Sequence, residues 1–209
     1  MPFIPLMIDI SNKRVVIVGG GQVAERRIGT LVNYTTHIKV ISPSLTVALY
    51  HRYEQGEMSW CAKSFEVTDI AEADLIIAAT NDNRVNQQIA ASKPQHALLN
   101  MTTKAHAGDV VFPSILRRGR LTLSISTNGA SPTLTAQILE EFKARFDLSY
   151  EAYVDFLYEC RQRIKRSNLT TQEKQDFLIH LLGTYVNLTS SYPREEIKLM
   201  FLKDTINKL

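Results

Sequence analysis

Residues 14–32 read RVVIVGGGQVAERRIGTLV, and this stretch decides the fold. Its β-branched start predicts a buried strand, and its end predicts a helix. Between the two, Gly19, Gly21 and Ala24 have the spacing G-x-G-x-x-A, which indicates dinucleotide binding when a strand precedes it and a helix follows. Gly19 allows the tight turn, Gly21 lets the backbone approach a pyrophosphate, and Ala24 lets the helix pack closely on the strand.

The start of this helix is a second reason to expect a phosphate group. The first backbone N–H groups of a helix have no partner within the helix and can face an anion. The predicted phosphate-binding residues are therefore Gly19, Gly21, Gln22 and Val23. The alternative interpretation is a plain strand-to-helix turn that binds nothing.

Strands and helices alternate through residues 1–113, which we predict to be a dinucleotide-binding domain. The run at 74–80 is apolar on both faces, as a strand inside a parallel sheet requires. The alternation predicts an α/β fold with a Rossmann-like, doubly wound parallel sheet. The other predicted strands are 38–41, 58–62 and 97–101, and the predicted helices are 46–53 and 83–91.

The pattern changes after Pro113. Residues 121–126 alternate with period two, which is typical of a half-exposed strand, and a turn at 118–120 precedes them. A helix is predicted to follow as far as about residue 146, with Ser131 as its N-cap and Pro132 as its first residue. The change predicts two further parts of the chain, a small strand-and-helix segment at 114–147 and an all-helical C-terminal domain at 148–209.

Composition limits the classes of function. The chain has 209 residues, 44% of them hydrophobic, which suffices for a substantial core and argues against global disorder. Its net charge is only +3, without a basic stripe or tail, so we expect no nucleic-acid partner. Cys61 and Cys160 lack the spacing of metal ligands, and we expect no metal. Without an apolar run of membrane-spanning length or a signal-peptide pattern, we expect no membrane association and a cytoplasmic location.

Three segments together resemble one family: GGGQVAERR at 19–27, AATND at 78–82 and FPSILRRGRLTLSISTNGASPTLTAQI at 112–138. The chain resembles precorrin-2 dehydrogenase, the siroheme-pathway enzyme that also forms the N-terminal module of multifunctional siroheme synthases. The resemblance implies NAD-dependent oxidation of precorrin-2 to sirohydrochlorin, with insertion of ferrous iron by some members. It also implies a homodimer in which the segment after Pro113 serves dimerisation, and a helical C-terminal domain that helps to cover the tetrapyrrole site.

Two turns at the carboxyl ends of strands are expected to hold the rest of the cofactor. No acidic residue follows the second strand to bond the ribose 2′-OH, as is usual for NAD, although Ser42 or Ser44 could do so. The residues alone leave NADP open, whereas the resemblance favours NAD. The turn after the fourth strand has a second interpretation as a helix N-cap, with Asn81 or Asp82 as the capping residue. The predicted cofactor contacts in these turns are Pro43, Ser44, Leu45, Thr46, Thr80 and Asn81.

Catalytic residues are expected between the fifth strand and Pro113. The family usually places an aspartate there in a motif N-x-x-D, and the matching position in this chain is Thr103. A threonine is no carboxylate base and a poor iron ligand, so we predict a dehydrogenase without ferrochelatase activity or a metal site. Asp109 or His106 could supply a base from the same loop. Otherwise water or a substrate carboxylate takes the proton, or the chain only binds tetrapyrrole.

The substrate implied by the resemblance carries acetate and propionate groups around its ring. A basic cluster of Arg117, Arg118 and Arg120 either pairs with these carboxylates or is a solvated turn. Thr127 and Asn128 lie on a turn that either contacts the macrocycle or only connects a strand to a helix. The predicted substrate contacts are Thr103, Arg117, Thr127 and Asn128.

The leading hypothesis is therefore a cytoplasmic, homodimeric, NAD-dependent precorrin-2 dehydrogenase. The alternative is a catalytically silent protein that binds tetrapyrrole or nucleotide, and Thr103 is the residue that motivates it. A third hypothesis, a Rossmann oxidoreductase for an unrelated small molecule, leaves the resemblance of segment 112–138 unexplained.

Overall fold

The structure is a computed structural model, and it describes residues 3–103 and 107–188. The chain forms two compact units, which divide between Pro113 and Ser114. The first unit contains a parallel sheet with helices, and the second contains a β-hairpin followed by helices.

A five-stranded sheet forms the centre of the first unit. The strand order is β3-β2-β1-β4-β5, and all neighbouring strands are parallel. The predicted α/β fold with a doubly wound parallel sheet is confirmed. The elements in chain order are β1 (Val15–Val18), α1 (Gln22–Leu31), β2 (Ile38–Ile41), α2 (Val47–Glu54), β3 (Ser59–Cys61), a 3₁₀ turn (Val67–Ile70), β4 (Leu75–Ala78), α3 (Asn83–Ser92) and β5 (Leu98–Met101).

The central strand β1 separates two halves of the sheet. Val18, the last residue of β1, lies beside Ile41 of β2 on one side and Ala78 of β4 on the other. Connections that leave neighbouring strands in opposite directions open a crevice at their carboxyl ends, where open α/β sheets bind ligands. The crevice in this sheet lies between the ends of β1 and β4.

Helices cover both faces of the sheet, since all residues of β1 and β4 are buried. Ala24, Ile28 and Leu31 form one apolar stripe of α1 and pack on one face. Ile89 of α3 and Ile70 of the 3₁₀ turn pack on the other. The stripe fixes α1 on the sheet and so places its N-terminus at the end of β1.

The second unit begins with an antiparallel hairpin. The sequence pattern fails to predict β6, because Ile115 and Leu116 are adjacent apolar residues rather than alternating ones, and pairing with β7 makes the segment a strand. The predicted turn at 118–120 is shorter, since Arg118 still belongs to β6. The elements are β6 (Ser114–Arg118), β7 (Leu121–Ile125), α4 (Pro132–Arg145), α5 (Ser149–Arg166) and α6 (Thr171–Leu188).

Helix α4 begins where the sequence predicts, and α5 and α6 pack on each other. The Ser131 hydroxyl accepts a hydrogen bond from the Leu134 N–H (3.1 Å), which confirms the predicted cap of α4. Phe156 and Cys160 of α5 form a buried cluster with Leu181 of α6. Across the part of the chain that the structure describes, no helix combines the length and the apolar character needed to cross a membrane.

Candidate dinucleotide site and neighbouring residues

The turn after β1 is packed tightly against its neighbours. Gly19 has φ +120°, and a Cβ added there would overlap the carbonyl oxygen of Ala79. A Cβ on Gly20 would overlap the carbonyl oxygen of Ser44. The Gly19 N–H donates to the Ile41 carbonyl (2.9 Å). The turn therefore requires glycine at both positions to lie between the ends of β2 and β4.

Gly21 differs from these two residues because it faces open space. A Cβ added there would meet no protein atom within 4 Å. Gly21 is the N-cap of α1, and within the described residues no side chain caps this helix. An exposed, uncapped helix N-terminus beside a glycine fits the pyrophosphate of a dinucleotide, because its N–H groups carry partial positive charge and a diphosphate can approach closely.

The loop after β2 lies directly beside the glycine turn. The Thr46 N–H donates to the Gly20 carbonyl (3.0 Å), and the Trp60 indole N–H donates to the Ser42 carbonyl (2.9 Å). The side chain of Ser42 is buried, whereas Pro43 and Ser44 are exposed. Of the two hydroxyls proposed for the ribose, only that of Ser44 is open to a ligand.

Glu25 supplies an acidic group to this loop that the sequence analysis missed. It lies in the first turn of α1 and accepts a hydrogen bond from the Thr46 hydroxyl (2.9 Å). The same hydroxyl caps α2 by accepting from the Leu49 N–H (3.3 Å). A carboxylate from α1 thus lies beside this loop, although the sequence has no acidic residue directly after β2. Its only signal in the sequence is an acidic residue in the first helical turn.

The turn after β4 brings Thr80 and Asn81 to the same crevice. Asp82 caps α3, since its side chain accepts from the Arg84 N–H (2.8 Å), so the cap is Asp82 rather than Asn81. Asn81 is exposed. The Thr80 hydroxyl bonds to the side chain of Asn86 on α3. The predicted cofactor contacts from β1, β2 and β4 therefore lie along one edge of the sheet.

Thr103 lies one residue beyond the last contact of β5 with β4. The Thr102 hydroxyl and N–H both donate to the Ala78 carbonyl (2.9 and 3.2 Å). Thr103 is exposed at this carboxyl edge, next to the crevice strand β4. The predicted catalytic residue His106 lies outside the described residues.

Asp109 holds its segment of chain to the sheet. Its carboxylate forms an ion pair with Lys93 (3.0 Å) and accepts from the Leu99 N–H (3.0 Å). The Asp109 N–H donates to the Leu99 carbonyl (2.8 Å). These contacts favour a structural role for Asp109 over its predicted role as a base, because its carboxylate is already engaged by a cation and a backbone donor.

Two predicted substrate contacts of the second unit, Thr127 and Asn128, lie on the turn between β7 and α4. The Thr127 hydroxyl accepts from the Ser131 N–H (3.1 Å) and bonds to the Thr135 hydroxyl (3.2 Å) at the start of α4. Asn128 is exposed and has φ +51°, as the predicted tight turn requires. The Thr127 hydroxyl is thus part of the helix start, whereas the Asn128 side chain lies at the surface.

Two residues of the arginine cluster, Arg118 and Arg120, contact the end of α4 and helix α5. Arg120 pairs with Asp155 (2.9 Å) and stacks on the Tyr158 ring, with 3.8 Å from the guanidinium carbon to the ring centre. Arg118 donates to the Phe146 carbonyl (2.9 Å). Arg117 is exposed, and its Nε donates to the Gly119 carbonyl (3.2 Å).

Comparison with known proteins identifies the family. Residues 6–114 match a family of NAD(P)-binding domains, 118–145 the central domain of sirohaem biosynthesis proteins, and 150–184 the SirC C-terminal domain. A precorrin-2 dehydrogenase of Priestia megaterium is 33% identical over 190 residues, 91% of this chain and 94% of that protein. The chain belongs to the precorrin-2 dehydrogenase family. The resemblance inferred from the three sequence segments is confirmed.

Other members of the family agree over most of the chain. A precorrin-2 dehydrogenase of Bacillus subtilis strain 168 is 36% identical over 160 residues, 77% of this chain and 99% of that protein. The solved structure of SirC, precorrin-2 dehydrogenase, superposes with a TM-score of 0.81 and 31% identity, covering 99% of this chain and all of that one. A siroheme synthase of Actinobacillus pleuropneumoniae serotype 7 is 32% identical over 96% of this chain, which spans 42% of that longer enzyme.

Proposed function

We propose that this protein oxidises precorrin-2 to sirohydrochlorin with NAD, as a step of siroheme biosynthesis. The observation that carries the proposal is the uncapped N-terminus of α1, open at Gly21, at the switch point of a sheet in a chain of this family. Family membership supports the choice of substrate, and the crevice supports an oxidoreductase that uses a nicotinamide dinucleotide.

Different residues of the crevice bind different parts of the dinucleotide. When bound, the dinucleotide supplies the hydride acceptor for the reaction. The first N–H groups of α1, at Gln22 and Val23, bind the pyrophosphate beside Gly21. The loop after β2 binds the adenosine half through Ser44, and Thr80 and Asn81 bind from the turn after β4.

Glu25 supports NAD rather than NADP as the cofactor. Its carboxylate is hydrogen-bonded to Thr46, in the loop assigned to the adenosine half. A fixed negative charge near this loop repels the 2′-phosphate that distinguishes NADP from NAD. No arginine or lysine occurs in residues 42–46 to offset that repulsion.

The substrate loses a proton as well as the hydride. We propose that water or a carboxylate of the substrate accepts this proton. Thr103 has no basic group, and the Asp109 carboxylate is held by Lys93 and the Leu99 N–H. His106 is the alternative base. A His106→Gln variant with an unchanged rate and pH profile supports the assignment, and one that loses turnover contradicts it.

Iron insertion is not part of the proposed activity. Iron insertion calls for a base that receives protons from the macrocycle and a ligand for the incoming ferrous substrate. A carboxylate can fill both roles, whereas position 103 holds a threonine. A separate ferrochelatase would then complete siroheme from the product.

A homodimer in the cytoplasm is the proposed working form. Within the β6–β7 hairpin only Leu116 is buried, while the other apolar residues stay partly exposed. A two-stranded hairpin is marginally stable alone, and covering its apolar side chains with a second copy would stabilise it. The partly exposed apolar residues are Ile115, Leu121, Leu123 and Ile125.

The experiment is an anaerobic assay in which precorrin-2 is generated in the reaction mixture and NAD is added. We expect NADH to form together with sirohydrochlorin, and NADP to support much slower turnover. Folded protein that forms neither product contradicts the proposal. Omitting NAD is the control for oxidation by traces of oxygen.

Thr103 supports one alternative, a catalytically silent tetrapyrrole-binding protein. A titration with sirohydrochlorin separates the two functions, because such a carrier binds it tightly and never forms NADH from precorrin-2. An enzyme instead releases sirohydrochlorin while NADH accumulates over many turnovers.

A further inference from the structure

A short connection after β4 forms one wall of the dinucleotide crevice. It runs from Ala79 to the helix cap at Asp82 and presents Thr80 and Asn81 at the sheet edge. It also touches the phosphate turn, since a Cβ on Gly19 would overlap the Ala79 carbonyl oxygen and lie 3.1 Å from the Thr80 nitrogen. The position of this connection therefore determines the shape of the site.

Both polar atoms of the Asn86 side-chain amide form hydrogen bonds with this connection. The residue is 1% exposed, in the second turn of α3. Its Nδ2 donates to the Thr80 carbonyl (3.0 Å), and its Oδ1 accepts from the Thr80 hydroxyl (2.8 Å). The same hydroxyl accepts from the Asp82 N–H (3.2 Å). One side chain thus fixes both the backbone and the rotamer of Thr80.

The helix itself gives no reason for asparagine at this position. Asparagine is a poor helix former, and burying an amide costs free energy unless its polar atoms are paired. Both side-chain hydrogen bonds go to Thr80, outside the helix, so they stabilise the connection rather than α3.

We propose that Asn86 is a positioning residue of the dinucleotide site, which acts by holding Thr80 and Asn81 in place against the glycine turn. The inference rests on the proposed function in one respect, that the crevice binds NAD. Without Asn86, the connection samples other conformations, and each NAD molecule that binds must order it again. The loss therefore falls on NAD affinity and on KM for NAD, while kcat at saturating NAD stays close to that of the wild type.

The test is a titration of the purified full chain with NAD alone, without any tetrapyrrole. Asn86→Leu removes both hydrogen bonds at similar volume, and Thr80→Val removes the hydroxyl, whereas Thr80→Ser keeps it. We expect Asn86→Leu and Thr80→Val to weaken NAD binding about tenfold, which equals about 1.4 kcal/mol. Thr80→Ser, which keeps the hydroxyl that Asn86 accepts from, should bind NAD more tightly than Thr80→Val. Gln87→Leu, an exposed change on the same helix, is the matched control.

The outcomes separate this inference from the proposed function. Wild-type protein that binds no NAD contradicts the proposed function, and the inference falls with it. Wild-type protein that binds NAD beside folded variants of equal affinity overturns the inference alone, even if their melting temperatures drop. If Asn86→Leu fails to fold, Asn86→Ala decides, since it removes both hydrogen bonds to Thr80 without placing a branched apolar group beside the Thr80 carbonyl. Weaker NAD binding by folded Asn86→Ala supports the inference, and wild-type affinity overturns it.

Discussion

The three consecutive glycines after β1 meet different surroundings. Gly19 and Gly20 are enclosed by the carbonyl groups of Ala79 and Ser44, whereas Gly21 faces open space. A sequence motif treats all three as one signal, but the structure separates residues that shape the turn from the residue that leaves room for a ligand. Replacing one glycine at a time with alanine adds a single methyl group and so tests the two roles separately.

Gly21→Ala should weaken NAD binding without destabilising the fold. The backbone at Gly21 is extended (φ −91°, ψ −171°), which alanine adopts freely, and the added methyl group meets no protein atom. It occupies space needed by the pyrophosphate, so we expect the Kd for NAD to rise at least about tenfold. Isothermal titration gives the Kd, and thermal melting gives the stability.

Gly19→Ala is the matched comparison for that variant. Its φ of +120° and its contact with Ala79 should cost roughly 1–3 kcal/mol or more of stability. If Gly21→Ala binds NAD as tightly as the wild type, the assignment of the open side of Gly21 to the pyrophosphate is wrong.

Glu25→Gln should reduce the preference for NAD over NADP. The change removes a negative charge and keeps a side chain that accepts a hydrogen bond from Thr46. We expect the ratio of NAD to NADP affinity to fall roughly fivefold, or about 1 kcal/mol. Glu54→Gln changes the net charge equally at an exposed position on α2 and serves as the control. An unchanged ratio in Glu25→Gln would refute the role given to this carboxylate.

Thr103→Asp tests whether the missing carboxylate at position 103 prevents iron insertion. Restoring the carboxylate at the position where the family usually has one should confer insertion of ferrous iron into sirohydrochlorin, followed as formation of siroheme. Thr103→Asn has nearly the same shape without the charge and should stay inactive. Wild-type protein that inserts iron as fast as Thr103→Asp would show that position 103 does not limit this reaction.

At the scale of elements, Asp74 joins the amino ends of β1 and β4. Its carboxylate accepts a hydrogen bond from the Arg14 N–H (2.8 Å) just before β1. This bond, helped by the charges of Lys13 and Arg14, lowers the pKa of Asp74. A depressed pKa in the folded state means that ionised Asp74 stabilises the fold above its unfolded pKa, and that this stabilisation is lost as the pH falls through the folded value.

Asp74→Asn should therefore lower stability at neutral pH and matter less in acid. We expect the urea midpoint of the variant to lie below that of the wild type at pH 7, and the difference to narrow below about pH 4, where the unfolded aspartate becomes protonated. Glu72→Gln, which alters a solvent-exposed ion pair with Arg14, should have little effect. A difference that does not change with pH would argue against the charge of Asp74 as its cause.

Sequence patterns predict the elements whose signal is local. β1, β2 and β4 are largely buried runs rich in β-branched residues, and α4 carries its own cap at Ser131, so these elements could be predicted. β6 could not, because it becomes a strand only by pairing with β7. Glu25 and Asn86 depend on partners outside their helices, Thr46 and Thr80, and no sequence pattern indicates either pairing. The parts missed are therefore those decided by tertiary contacts.

At the scale of the whole molecule, the hairpin of the second unit should be part of a homodimer interface. We expect sedimentation velocity to give about twice the mass of one chain. Replacing Ile125, a partly exposed residue of β7, with Lys should shift the protein towards monomer, whereas Ser124→Lys at the exposed neighbouring position should not. A monomer in the wild type would contradict the proposed dimer and leave the cofactor site unaffected.

The most direct measurement of the central claim is the ratio of the two products formed from precorrin-2 under anaerobic conditions. The proposed dehydrogenase should form NADH and sirohydrochlorin in a one-to-one ratio over many turnovers, with Gly21→Ala requiring more NAD to reach the same rate. Tight binding of the tetrapyrrole without NADH, by folded wild-type protein at saturating NAD, would contradict the account.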